Sequence, residues 1–364
     1  MNPPEKRYRR GLVVGKFCPL HRGHMLVIDT AIARCEEVLV ISYTKPGFPG
    51  CERATRETWI AALYPGVDRL VIDEDVLARR CRERGTAPLA FPANDAPDAV
   101  QRAFTAWLCW SVCGVAVDAV FTSEDYGDGF AGAMSTHFSA WAGRRMPVAH
   151  VCVDRARALV PTSGSAIRAD PHAHRAWLDP IVYGHFVERV CLLGGESSGK
   201  TTLAAALAER LGRALVPEVG RVRWEAQGGR LDYPDMRAIA ADQLALEERL
   251  ARQARRWLIC DGSALTTAFY SEHDYGRVDP LVRALAERPY AHTFLCAPDF
   301  PFVQDGTRRD AAFRERQHRW YLDRLGRAGV AYTVLHGPLA ARVDRACALI
   351  GMRMADRAPG CSIR

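Results

Sequence analysis

Two runs of residues in this chain are spaced for phosphate chemistry. The first is Gly194-Gly195-Glu196-Ser197-Ser198-Gly199-Lys200-Thr201, which fits the P-loop pattern G-x-x-x-x-G-K-[ST]. Its glycines let backbone N–H groups curl around phosphates, Lys200 can reach the β/γ-phosphates, and the Thr201 hydroxyl can ligate Mg²⁺. The second run is His21-Arg22-Gly23-His24, two imidazoles flanking a glycine. Ahead of a helix N-terminus that arrangement suits a triphosphate, because the helix end adds partial positive charge. A third stretch, Ser163-Gly164-Ser165-Ala166-Ile167-Arg168, places hydroxyls and an arginine at a helix start. Alone it is an ordinary helix cap. Paired with the histidines, Ser163, Ser165 and Arg168 match the β/γ-phosphates of an ATP attacked at its α-phosphate.

The flanking residues form the elements that must present these groups. Val190–Leu193 is a short apolar strand before the P-loop, and Thr202–Leu211 an Ala/Leu-rich helix after it. In the first half, Gly11–Gly15 reads as a buried strand leading through Lys16 and Phe17 to the histidines, with a helix over Met25–Arg34. Further strands are expected at Glu37–Ser42, Arg69–Asp73, Asp118–Thr122 and Val148–Val153, with helices at Arg53–Leu63 and Asp98–Cys113. Apolar strands alternating with helices predict an α/β, doubly wound parallel sheet, which binds ligands at the carboxyl ends of its strands. Asp170–Glu188 reads as a linker with short helical pieces, its His172 and His174 facing solvent, so domains are expected over 1–187 and 188–364. In the second half, strands are expected at Ala214–Pro217, Arg255–Cys260, His292–Cys296 and Val330–Leu335. Asp261 after a strand fits a Walker B carboxylate beside Mg²⁺, although strand-end aspartates are also common helix caps. The arginines 308, 309, 314, 316 and 319 read either as a kinase lid or as a solvated basic helix.

Composition narrows the class. The 364 residues are 48% hydrophobic and 25% charged, an ordinary globular balance. A net charge of +7 suits anionic small molecules and does not by itself indicate nucleic acid. The cluster Lys6-Arg7-Tyr8-Arg9-Arg10 reads as a solvated leader. The twelve cysteines form no C-x-x-C, and Cys152, Cys191, Cys260 and Cys296 sit in apolar runs as core residues. With no signal peptide and no long apolar run, a cytoplasmic protein with reduced thiols and no membrane partner is expected. A homo-oligomer is left open.

The string Gly15-x-Phe17-x-Pro19-x-His21-x-Gly23-His24, together with Ser163–Arg168, resembles the nucleotidyltransferase superfamily that carries (H/T)-x-G-H and I-S-S-T-x-x-R. With the P-loop in the same chain, the sequence resembles the NadR-type bifunctional enzymes, which join a nicotinamide mononucleotide (NMN) adenylyltransferase to a ribosylnicotinamide kinase. Further matching stretches are Arg56–Trp59, Phe121–Gly127, Pro217–Arg221, Tyr233-x-Asp235 and Gln304–Arg308. The resemblance implies a Rossmann-like domain followed by a P-loop kinase domain, with ATP as co-substrate and Mg²⁺. His21 and His24 would be catalytic, with Gly15, Lys16, Phe17, Ser163, Ser165 and Arg168 on ATP, Arg56 near the NMN phosphate, and Trp59 either stacked on nicotinamide or in the core. In the second half it implies Gly194, Gly199, Thr201, Thr202 and Arg316 on ATP. Lys200, Asp261 and Arg308 would be catalytic, and Glu218, Arg221 and Asp235 would contact the nucleoside. Thr201 and Asp261 would hold the metal. Asp261, or alternatively Glu218, would be the base, since position 263 is Ser where the family often has a second acid. Ser165 stands for the usual Thr, and Gly164 and Ala166 also depart from the pattern. Ten residues precede the first strand, so the helix-turn-helix that some members carry is expected to be absent. The competing readings are a nucleotidyltransferase acting on another substrate, and a nucleotide sensor with one degenerate domain.

Overall fold

β-branched and leucine-rich runs form the sheet centres here because both faces are covered by helices. The computed structural model describes residues 6–356 except Asp125, Asp305 and Thr307, and it does not describe the side chains of 352–356. Parts of two motifs named above, Phe121–Gly127 and Gln304–Arg308, therefore lie outside the described residues. The chain divides into two compact units, Met1–Tyr183 and Gly184–Arg364.

In the first unit the strands are β1 (Tyr8–Gly15), β2 (Cys35–Ser42), β3 (Asp68–Val71), β4 (Ala119–Thr122) and β5 (Ala149–Cys152), ordered β3-β2-β1-β4-β5 and all parallel. The order reverses between β1 and β4, and in such sheets the crevice at the switch point binds ligands. Strand β1 begins at Tyr8, where Tyr8 pairs with Cys35 and Arg10 with Glu37, so the basic run expected to be a leader is half in the sheet. The helices are α1 (Arg22–Arg34), α2 (Arg53–Leu63), α3 (Glu74–Arg84), α4 (Asp98–Trp107), α5 (Gly127–Ala142) and α6 (Gly164–Ala169). After α4 the chain continues as a π-helical turn over Leu108–Cys113, so the helix expected to Cys113 changes its winding at Leu108. Leu12, Ile41 and Val120 of the sheet pack with Phe104, Met134 and Phe138 of the helices, each such side chain worth ~1.5–3 kcal/mol on burial. Helix α7 (Pro180–Phe186) spans the divide between the units.

The second unit has β6 (Glu188–Gly194), β7 (Ala214–Val216), β8 (Trp257–Asp261), β9 (His292–Cys296) and β10 (Thr333–Leu335), ordered β10-β9-β6-β8-β7 and parallel. The P-loop follows the central strand. Its helices are α8 (Lys200–Leu211), α9 (Val219–Ala226), α10 (Tyr233–Ala251), α11 (Ala264–Tyr275), α12 (Pro280–Ala286), α13 (Ala311–Arg327) and α14 (Leu339–Asp356). Leu203 and Leu207, one turn apart on α8, pack on Val190, Leu192 and Ile259 of the sheet. Of the cysteines read as core, Cys191, Cys260 and Cys296 are buried, whereas Cys152 is exposed, because β5 is an edge strand and Cys152 its last residue. His172 is bonded rather than solvent-facing: its Nδ1 lies 3.0 Å from the Tyr183 hydroxyl. Among the described residues no helix is long and apolar enough to cross a membrane.

Candidate functional site

The first-half site is built on the start of α1. His21 is the N-cap residue, and its Nδ1 accepts the Gly23 N–H at 3.1 Å. His24, three residues on, closes a capping box: its Nδ1 accepts the His21 N–H at 3.4 Å. The spacing read as a phosphate cradle is therefore also that of a helix cap. With both Nδ1 atoms accepting, the neutral rings carry their proton on Nε2 and are donors there. The rings stack at 3.8 Å, and Phe17 meets His24 edge-on at 5.0 Å. A Cβ on Gly23 would lie 3.0 Å from the His21 ring, a contact tight enough to push that ring off its present position. Burial, with Arg157's charge adding, pushes His21 down to about 4. Burial and then His21 push His24 well below the ordinary imidazole value.

Helix α6 docks against the same loop. Arg168 donates to the Cys18 carbonyl and, at 3.0 Å, to Ser165 Oγ, while Ser163 Oγ caps the helix by accepting the Ala166 N–H. The unexpected Gly164 has a reason: a Cβ there would lie 3.1 Å from the Cys18 carbonyl oxygen. The three α6 residues and the histidine loop are thus together. Gly15 faces the buried Phe17 ring, and the exposed Lys16 donates to the Asn94 carbonyl at 3.3 Å. Ser123, Glu124, Tyr126, Arg155 and Arg157 line a second cleft, and Arg157 pairs with Glu124 at 3.1 Å. Arg157, in a loop of no recognised pattern, also adds its charge against protonation of His21 and His24.

Two first-half expectations change. Trp59 is 2% exposed, so it takes the core alternative and offers no open stacking face. Arg56 is equally buried and is committed to protein acceptors, donating to the Cys51 carbonyl and to Ser42 Oγ.

In the second half a cavity of about 680 Å³ joins the P-loop to the faces of α9, α10 and α11. Glu196 through Thr202 line one part of it, and Glu218, Arg221, Trp224, Ser263, Tyr270 and Tyr275 line another. The loop is held by side chains on every flank. Glu196 accepts from Tyr270 and from the Arg309 N–H, and its own N–H donates to Gln317 at 2.9 Å. Ser197 Oγ accepts the Val303 N–H, with Arg308 Nη1 at 3.4 Å. Gly194 and Gly199 have φ of +151° and +79°, which side-chain-bearing residues rarely adopt.

Glu218 stands in the cavity beside Lys200 and Asp261. Burial raises its carboxyl, with Asp261 adding, against the opposing charge of Lys200. Asp261 does not line the cavity. It is 2% exposed, and its Oδ1 is buried with no hydrogen-bond partner. This weighs against Asp261 as the base, which must touch the hydroxyl. Asp235 is also displaced from its expected role: it is the N3 residue of the α10 capping box and pairs with Arg223 at 3.2 Å. The Asp232 N–H holds its carboxyl below the ordinary value. Arg308 lines the cavity, but Arg316 is exposed on α13 over Phe313 and does not. The aromatic residues Trp224, Tyr270 and Tyr275 escaped the sequence reading, since amphipathic helices carry such residues for packing alone.

Residues 189–342 match the family described as "AAA domain". Over 327 residues the chain is 28% identical to the trifunctional NAD biosynthesis/regulator protein NadR of Escherichia coli strain K12, covering 84% of this chain and 73% of that protein. Two solved structures share the fold. A NadR protein in complex with NAD and AMP-PNP superimposes with TM-score 0.67 at 18% identity, over 95% of this chain and 96% of that one. A NadR protein in complex with NR gives TM-score 0.67 at 18% identity, over 98% and 97%.

Proposed function

We propose that this chain, a homologue of the NadR proteins over most of its length, phosphorylates nicotinamide riboside with ATP to give NMN and then joins NMN to ATP, giving NAD and pyrophosphate. The observation that carries the reading is the single cavity lined both by Lys200 and Thr201 of the P-loop and by the carboxyl of Glu218. A phosphoryl donor and a hydroxyl acceptor can meet there, as kinase chemistry requires.

In that cavity P-loop amides, Lys200 and Arg308 hold and neutralise the γ-phosphate. Glu218 accepts or orients the proton of the 5′-hydroxyl as its oxygen bonds to the γ-phosphorus and the bond to ADP breaks. A raised carboxyl is better matched to that proton than an ordinary one. The unpartnered Oδ1 of Asp261 and the cavity-lining hydroxyl of Thr201 fit Mg²⁺, which when bound offsets charge on the phosphates. In the first unit, Nε2–H of His21 and of His24, with Ser163, Ser165 and Arg168, hold the triphosphate. A phosphate oxygen of NMN attacks the α-phosphorus in line and pyrophosphate departs, with no covalent enzyme intermediate.

Product masses test the reading. ATP is supplied with riboside, with NMN, and with the deaminated form of NMN in separate reactions. NMN from the first and NAD from the second are expected. Absence of either product from folded protein removes that half of the assignment.

A further inference from the structure

Arg342, on the last helix of the second unit, is 2% exposed and lies 144 residues from the P-loop residue it touches. A guanidinium so buried must be well paired to be tolerated. Four of its five N–H groups donate: Nε to the Gly337 carbonyl at 2.8 Å, Nη1 to the Ser198 carbonyl at 2.9 Å, and Nη2 to the Ala297 carbonyl at 2.8 Å and to Asp299. Asp299 is fixed in turn by the Gly337 N–H at 2.7 Å. The guanidinium also covers the Phe300 ring at 4.8 Å, and that ring abuts Gly199 so closely that a Cβ there would lie 3.1 Å away.

The Ser198 carbonyl and the Gly199 N–H belong to one planar peptide unit and point in opposite directions. Holding the carbonyl toward Arg342 turns the Gly199 N–H away from it. Gly199 itself lines the cavity between Ser198 and Lys200. A P-loop works through such amides, and one set in advance costs nothing to reorient when phosphate arrives.

We propose that Arg342 is a positioning residue of the phosphate site: with Phe300 behind, it fixes the Ser198–Gly199 peptide so that its N–H faces the nucleotide phosphates. The proposal rests on reading this cavity as an ATP site. It makes Arg342 part of nucleotide affinity, although it touches no ligand, and it predicts no effect on the riboside end lined by Trp224 and Tyr275.

The test compares Arg342→Lys and Arg342→Met with the full wild-type chain. Calorimetry measures binding of ATP and of inorganic tripolyphosphate, kinetics gives KM for each substrate, and thermal melts report folding. Arg342→Lys keeps the charge but cannot reach all four acceptors at once. Expected is a loss of roughly tenfold or more in affinity for both ATP and tripolyphosphate, the scale of one hydrogen bond to a charged group. KM for riboside should stay near wild type. Wild-type affinity for tripolyphosphate in a folded variant overturns the proposal, as does an equal loss for riboside and ATP with a fallen melting temperature. If Arg342→Met does not fold, Arg342→Lys decides alone. Wild-type protein that binds ATP but leaves riboside unphosphorylated would sink the kinase assignment and leave the Arg342 test standing.

Discussion

His21 and His24 lie face to face, ring centroids 3.8 Å apart and planes inclined by 27°, held there as the two ends of one capping box. The pair is therefore oriented before any ligand arrives. Burial keeps both rings neutral near pH 7, so each offers an Nε2–H donor rather than a cation, and a triphosphate would draw them toward the protonated form.

His24→Ala should cut NAD formation from NMN by at least about 10²-fold, since a preorganised donor at the developing charge is worth roughly 3 kcal/mol. Riboside phosphorylation should persist, so NMN accumulates when riboside and ATP are supplied together. Mass spectrometry of that reaction decides it. NAD appearing at the wild-type rate would mean that the stacked pair is not the triphosphate cradle.

The depressed His21 carries a stability signature. Its ordinary value is 6.5 and its value in the fold is about 4, so the unfolded chain takes up the proton first as pH falls. The part of the stability that depends on a neutral His21 is fully present above pH 6.5 and is lost as pH falls from 6.5 toward 4, with His24 acting in the same direction. His21→Gln, which cannot titrate, should flatten the fall in melting temperature across that window. Parallel curves for wild type and variant would show that His21 is not buried neutral.

Lys200→Ala should abolish riboside phosphorylation, by about 10²-fold or more, while NAD synthesis from NMN stays near wild type. Lys200 follows β6 of one sheet and His24 follows β1 of the other. If both activities fall together in protein with a normal circular dichroism spectrum, the two-site reading is wrong.

The sheets were legible because most strands hold a short apolar stretch, whereas the basic start of β1 at Tyr8–Arg10 carries no such signal. The histidine, serine and P-loop motifs stood out in the sequence because helix caps and phosphate-binding loops demand fixed spacings. What escaped depends on tertiary packing. Asp235 looks like a nucleoside contact in the string Tyr233-x-Asp235, yet its partners are the Asp232 N–H and Arg223. Trp59 sits in a motif whose helix turns it inward, and its 2% exposure is invisible to spacing. Arg342 lies in an ordinary amphipathic helix, and only the fold shows that it reaches the Ser198 and Ala297 carbonyls.

Arg308 and Arg316 should separate. Arg308 lines the cavity and approaches Ser197 Oγ, whereas Arg316 lies exposed over Phe313. Arg308→Ala should lower kcat for riboside phosphorylation by about 10-fold or more with little change in riboside KM, because its charge matters most in the transition state. Arg316→Ala should leave both constants within about twofold, the usual scale for an exposed charge. Steady-state kinetics of the two variants side by side reads this out. A larger loss in Arg316→Ala would mean that α13 moves inward when nucleotide binds.

The two carboxylates can be told apart by pH. Glu218 lines the cavity with its carboxyl raised by burial, and a base works only when deprotonated. The rate of riboside phosphorylation should therefore fall on the acid side at a pH above the ordinary glutamate range, as protonation removes the base. Glu218→Gln should erase that limb and cost roughly 10²–10⁴-fold in kcat. Asp261, buried with Oδ1 unpartnered, should behave differently. Asp261→Asn should raise the Mg²⁺ concentration needed for half-maximal rate and leave the acid limb of the remaining activity in place. Rate–pH profiles of wild type and both variants at several Mg²⁺ concentrations distinguish the roles. A limb that survives in Glu218→Gln and disappears in Asp261→Asn would return the base to Asp261 and leave Glu218 as a contact to the nucleoside.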